Sequence, residues 1–109
     1  MSVNNKKILI FGSSGFLGQH LVSLLKKDNE IIQFDINSSE DSICDSNFIQ
    51  GSILDTELVL TAAKDVDIVY HFAAMTDLDI VNNNPAKAIE VNIAGTSNIL
   101  DACIKEKVE

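Results

Sequence analysis

Three glycines at three-residue intervals, Gly12-Ser-Ser-Gly15-Phe-Leu-Gly18, carry the densest chemical signal in this chain. They follow the apolar run Lys7-Ile-Leu-Ile-Phe11 and precede leucines at helical spacing, so they fall where a buried strand turns into a helix. Each glycine has a task at such a junction. Gly12 lets the chain turn sharply out of the strand, Gly15 leaves the backbone bare for a diphosphate to approach, and Gly18 lets the helix lie close to the sheet. The first-turn amides have no intrahelical acceptor and would face the phosphates with the positive end of the dipole behind them. Ser13 and Ser14 add hydroxyls. The spacing is Gly-x-x-Gly-x-x-Gly rather than Gly-x-Gly-x-x-Gly, because residue 13 is Ser. Glycines in this pattern also make a tight turn that holds no ligand, and that reading stands beside the first.

Asp35 narrows the choice. It ends the next apolar run, Glu30-Ile-Ile-Gln-Phe-Asp35. A carboxylate at that strand tip accepts both hydroxyl hydrogens of an adenosine ribose and repels a 2′-phosphate. The chain has no Arg to welcome that phosphate instead, so the pattern favours NAD over NADP. The plain alternative is a solvated acid at a strand end.

The elements that would position these residues can be read along the chain. Strands are expected at 7–12, 30–35, 47–51 and 67–73. A first helix carries Leu17, Leu21, Leu24 and Leu25, with Lys26 and Lys27 in its last turn, and ends at Asp28-Asn29. Residues 37–46, rich in Ser, Asp and Asn, read as a loop. Asp55 caps a second helix, with Glu57 in its first turn and Leu58, Ala62 and Ala63 on one side. Asn84-Pro85 opens a long final helix, one face of which is traced by Ile89, Ile93, Thr96, Leu100, Cys103 and Ile104. Asp77-Leu-Asp79 reads as a solvated loop, not as a catalytic carboxylate pair. Gly95 inside a helix points to close packing against a neighbour. The order predicts an α/β fold, a Rossmann-like doubly wound parallel sheet ending after its fourth strand and the following helix.

Composition sets the outer bounds. The chain has 109 residues, enough for one domain and too few for two. It carries 16 acidic and 8 basic residues, all of the latter Lys, for a net charge of −8. Such a balance argues against nucleic acid and against anionic membrane surfaces as partners. No apolar run approaches a membrane span and no leader is evident. Cys44 and Cys103 stand apart without clustered His, so no disulfide framework or metal site is signalled, and a reducing, cytoplasmic setting is expected.

Several motifs in order then resemble one family. Gly12 to Gly18, Asp35, Gly51-Ser-Ile-Leu-Asp55, His71-Phe-Ala-Ala74, Asn84-Pro85 and Glu90-Val-Asn-Ile-Ala-Gly-Thr-Ser-Asn-Ile-Leu100 are similar to the extended short-chain dehydrogenase/reductase family. Within it they resemble the NAD-dependent epimerase/dehydratase branch that includes UDP-glucose 4-epimerase. The likeness runs from Lys7 to Val108. It implies that Gly12, Ser14, Gly15, Phe16, Leu17 and Gly18 hold the diphosphate of NAD and that Asp35 binds the adenosine ribose. It further implies that Ser52 and Ile53 line the adenine. Ser52 stands where the family usually has Asp, which weakens or replaces an adenine contact. Ala73 and Ala74 would run beneath the cofactor, and Asn92 would support the centre near the nicotinamide ribose. On local sequence, Asn92 and Asn98 are equally polar positions of a half-exposed helix, and His71 is a structural residue at a strand end.

The same resemblance implies catalysis by a Tyr and a Lys four residues later. Here Tyr70 is the single Tyr and position 74 is Ala. No residue of this chain is assigned a catalytic role, and turnover is not expected of it as it stands. A nucleotide-sugar would bind only with a C-terminal half present. Two readings follow: the NAD-binding portion of such an oxidoreductase, or a naturally short nucleotide-binding or regulatory module completed by a partner chain. In either, the fourth strand is left as an apolar sheet edge, and self-association through it is expected.

Overall fold

The computed structural model describes residues 3–38 and 47–108. Cys44 and most of the Ser/Asp-rich stretch lie outside the described residues. Four strands, β1 (Lys7–Phe11), β2 (Glu30–Asp35), β3 (Phe48–Gln50) and β4 (Ile68–His71), form one parallel sheet in the order β3-β2-β1-β4. Helix α1 (Phe16–Leu25) joins β1 to β2, and α2 (Thr56–Ala62) joins β3 to β4. After β4 come α3 (Leu78–Asn83), α4 (Pro85–Ile89), a π-helical turn (Glu90–Gly95) and α5 (Thr96–Lys105). The expected fold class is what the chain adopts.

β1 is covered on both faces, which is why its sequence is an unbroken apolar run rather than an alternating one. Leu9 and Phe11 pack with Phe34, Val59, Ile99 and Ala102 under α2 and α5. Ile8 and Ile10 point the other way, with Ile31, against Leu21, Val22 and Leu25 of α1. The register sets Phe11 beside Phe34 on one side and His71 on the other, so the strands end together at one edge of the sheet. The crossover from β1 goes to β2 on one side and the crossover from β3 returns to β4 on the other, the place where an open α/β sheet presents a crevice.

Four expectations are corrected. Asp77 does not lie in a loop: its Oδ1 accepts from the amides of Asp79 and Ile80 and caps α3. The lysines at 26 and 27 follow α1 instead of filling its last turn, because the helix ends at Leu25. Leu17 and Leu24 of α1 face outward. The final helix is turned over relative to its apolar stripe: Ile93 and Ile104 are 66% and 77% exposed, while Ile99 is 3% exposed. Small residues explain the reversal. Ala88, Gly95 and Ala102 are buried, as Ile99 is, and their lack of bulk lets this side pack closely. At Gly95 an added Cβ would lie 2.4 Å from Ile53 Cδ1, so this glycine makes the close packing its helical position implied.

β4 ends the sheet, paired with β1 on one side and with no strand on the other among the described residues. No described helix is long and apolar enough to cross a membrane.

Candidate functional site

The glycine turn is built by three different constraints. Gly12 has φ +83, and a Cβ there would lie 2.7 Å from the Ala73 nitrogen and the Phe72 carbonyl carbon. Gly18 is closed from the other side, since its Cβ would meet the Gly12 oxygen at 2.2 Å. Gly15 is different. Its Cβ would sit at 3.4 Å from Gly12 O, a contact a real side chain tolerates, and the residue is exposed. The bare backbone at Gly15 is therefore not required by the fold. It leaves open space at the start of α1.

α1 begins at Phe16 with Gly15 as N-cap and no side chain bonded to its first turn. The first intrahelical bond runs from Gln19 N to Gly15 O, which leaves the amides of Phe16 to Gly18 without intrahelical acceptors. Phe16 and Leu17 are exposed, and Phe16 lies edge-on to His20. An uncapped helix end with a bare approach is an anion-binding geometry.

Asp35 faces this turn. Its Oδ2 accepts from the Ser14 amide at 3.0 Å and its Oδ1 accepts from the Asn37 amide at 2.8 Å. Each oxygen keeps acceptor capacity for a further donor. The Ser14 hydroxyl donates to Asn37 O at 2.9 Å, and Ser13 is fully buried. The Ser14 hydroxyl thus braces the turn within the protein instead of reaching toward a phosphate, and the Ser13 hydroxyl is buried without a hydrogen-bond partner. The signal for the Asn37 contact was the Asp-x-Asn spacing, which supports a side-chain-to-amide turn.

The adenine-side residues divide. Ser52 is half-buried and its Oγ accepts from Leu54 N at 3.1 Å. Ile53 has its side chain in the core over Gly95, and its carbonyl accepts from Asn98 Nδ2 at 3.0 Å. Ile53 therefore offers no exposed apolar face. Asn98, read locally as an ordinary helix position, ties α5 to this segment.

On the β4 side, Ala73 is half-buried and Ala74 exposed, with the Ala73 backbone against Gly12. Asn92 does not point free into the crevice. Its Oδ1 accepts from Met75 N at 2.7 Å and its Nδ2 donates to Met75 O at 3.1 Å. It lies in the π-helical turn, a local distortion often found beside functional sites. His71 Nε2 contacts Thr96 Oγ1 at 2.8 Å, a partner no local pattern indicated, and burial lowers its pKa. Burial also pushes the Cys103 thiol up, away from reactivity.

The donor set suits a dinucleotide: unpaired amides for a diphosphate, a carboxylate for ribose hydroxyls, and small side chains along the β4 side. Relatives agree in kind. A sequence profile of the 3-beta hydroxysteroid dehydrogenase/isomerase family matches residues 9–109. UDP-N-acetylglucosamine 4,6-dehydratase (inverting) of Campylobacter jejuni is 37% identical over 97% of this chain. The fold matches UDP-glucose 4-epimerase from Brucella ovis in complex with NAD at a TM-score of 0.83, with 27% identity over 95% of this chain and 34% of that one. It also matches UDP-N-acetylglucosamine 4-epimerase from Methanobrevibacter ruminantium M1, in complex with UDP-N-acetylmuramic acid, at 0.85, with 25% identity over 97% of this chain and 36% of that one. The chain spans 35% of the length of the dehydratase it matches. With its glycine turn, its strand-tip acid and this match along nearly its whole length, the chain belongs to the 3-beta hydroxysteroid dehydrogenase/isomerase family, among relatives that are nucleotide-sugar epimerases and dehydratases.

Proposed function

We propose that this chain is the NAD-binding portion of a nucleotide-sugar epimerase or dehydratase. The observation that carries the reading is the Asp35 carboxylate bonded to the Ser14 amide, which sets a ribose acceptor beside the uncapped start of α1. The diphosphate would rest on the amides of Phe16 and Leu17 over bare Gly15, with Asp35 on the adenosine ribose. Ser52 would stand at the adenine, and Ala73 and Ala74 would run under the cofactor. Asn92 acts one step back, by holding Met75. A nicotinamide dinucleotide bound there supplies reversible hydride transfer. This chain's own described residues bind and orient, and Tyr70 sits within β4 stacked on Phe72, not in the position of a proton donor. The sugar-nucleotide and the reaction belong to the whole protein.

Calorimetric titration with NAD tests the reading, with Asp35→Ala as the control. Saturable 1:1 binding that weakens in the variant supports it. Unchanged binding in Asp35→Ala removes Asp35 from the site.

The open side of β4 favours a second, compatible reading. A row of unpaired backbone groups beside Tyr70 and Phe72 templates another strand, and we infer that this chain self-associates or takes a partner chain there. Sedimentation velocity across a dilution series checks it. A single monomeric species at every concentration counts against it.

A further inference from the structure

His71 stands at the carboxyl end of β4, edge-on to the Phe11 ring, with Nε2 2.8 Å from Thr96 Oγ1. The Thr96 hydroxyl has one proton and gives it to the Asn92 carbonyl at 2.7 Å, while the Thr96 amide goes to Ile93 O. Toward His71 that hydroxyl can then only accept, so the imidazole carries its proton on Nε2. Nδ1 is buried with no partner. The opposite tautomer would bury an N–H without an acceptor and take the hydroxyl proton away from Asn92.

The contacts continue in a ring. Asn92 holds both backbone groups of Met75, four residues beyond His71. One helical segment thus grips β4's exit at two points, through Thr96 at His71 and through Asn92 at Met75. Between the grips run Phe72, Ala73 and Ala74, and the backbone of Phe72 and Ala73 lies against Gly12. We propose that His71 and Thr96 are positioning residues of the nucleotide site: they fix Asn92 and so clamp the 72–74 bridge against the glycine turn. The proposal rests on the NAD reading for its consequence, not for its geometry.

Amide hydrogen exchange in this chain tests the clamp directly. In Thr96→Val, which keeps shape and removes the hydroxyl, the Met75 amide should exchange about tenfold faster, the scale of one hydrogen bond. That change is measured relative to the Ala63 amide, bonded to Val59 O at the end of α2 and outside the His71–Thr96–Asn92–Met75 contacts. Thr96→Ser should restore protection, and NAD affinity should fall in Thr96→Val and recover in Thr96→Ser. His71→Ala should loosen Met75 as Thr96→Val does, and His71→Gln, which keeps a donor, should restore it. Equal acceleration at Met75 and Ala63 would mean only a less stable fold and overturns the clamp, as does unchanged exchange at Met75. A wild-type chain that fails to bind NAD sinks the nucleotide reading, while the Met75/Ala63 ratio still decides whether the clamp exists.

Discussion

The Asp35 carboxylate accepts the Ser14 amide across 3.0 Å, joining the tip of β2 to the glycine turn that leaves β1. One residue therefore shapes the phosphate cradle and presents the ribose acceptor. Replacing Asp35 with Ala should lower NAD affinity about 10- to 100-fold, the range for hydrogen bonds to a charged group. Loss of the negative charge should also narrow the preference for NAD over NADP. Parallel calorimetric titrations with the two dinucleotides measure both effects.

Gly15 and Gly18 should fail differently. In Gly18→Ala the new Cβ meets backbone atoms at 2.2 and 2.8 Å, so α1 must shift away from the turn. Destabilisation of about 1–3 kcal/mol is expected from such overpacking. Gly15→Ala meets only Gly12 O at 3.4 Å and should melt near wild type, yet its methyl occupies the space left for a diphosphate. Thermal melts beside NAD titrations separate the two: stability falls in one variant, binding in the other.

How far this was legible can be traced through particular residues. The glycines, Asp35 and the apolar strands announce themselves because local spacing encodes them. The final helix misled by bulk. Its large Ile and Leu residues look like a core face, but the packed side includes Ala88, Gly95 and Ala102, small residues that allow close packing, as at Gly95 against Ile53. α3 is six residues long, too short to show a period. Contacts such as His71 with Thr96 and Asn98 with Ile53 are set by tertiary packing between distant segments. No sequence window contains both partners in a recognisable pattern.

Asp77 gives a local test of that missed helix. Its side chain satisfies two first-turn amides of α3, so Asp77→Ala should cost about 1 kcal/mol, the usual scale for an N-cap. Chemical denaturation reports the loss. NAD affinity should hold, because Asp77 makes no contact with the glycine turn or Asp35.

His71 sets a pH dependence with a definite sign. Burial holds its folded pKa below the ordinary 6.5. Above pH 6.5 the ring is neutral in folded and unfolded chains alike, and the full stability is present. As pH falls below 6.5 the unfolded chain takes up a proton that the folded chain resists, and stability is lost until the folded pKa is reached. His71→Gln should flatten that part of the stability–pH curve, measured by urea denaturation at stepped pH.

The most direct measurement is a 1H–15N NMR titration of this chain with NAD. The largest saturable shifts are expected on the amides of Gly15, Phe16 and Leu17, with Ser14 and Asn37 following through Asp35. Shifts that leave those amides unmoved, or that gather instead around Thr56, Asp101 and Lys105 in the groove between α2 and α5, would contradict it.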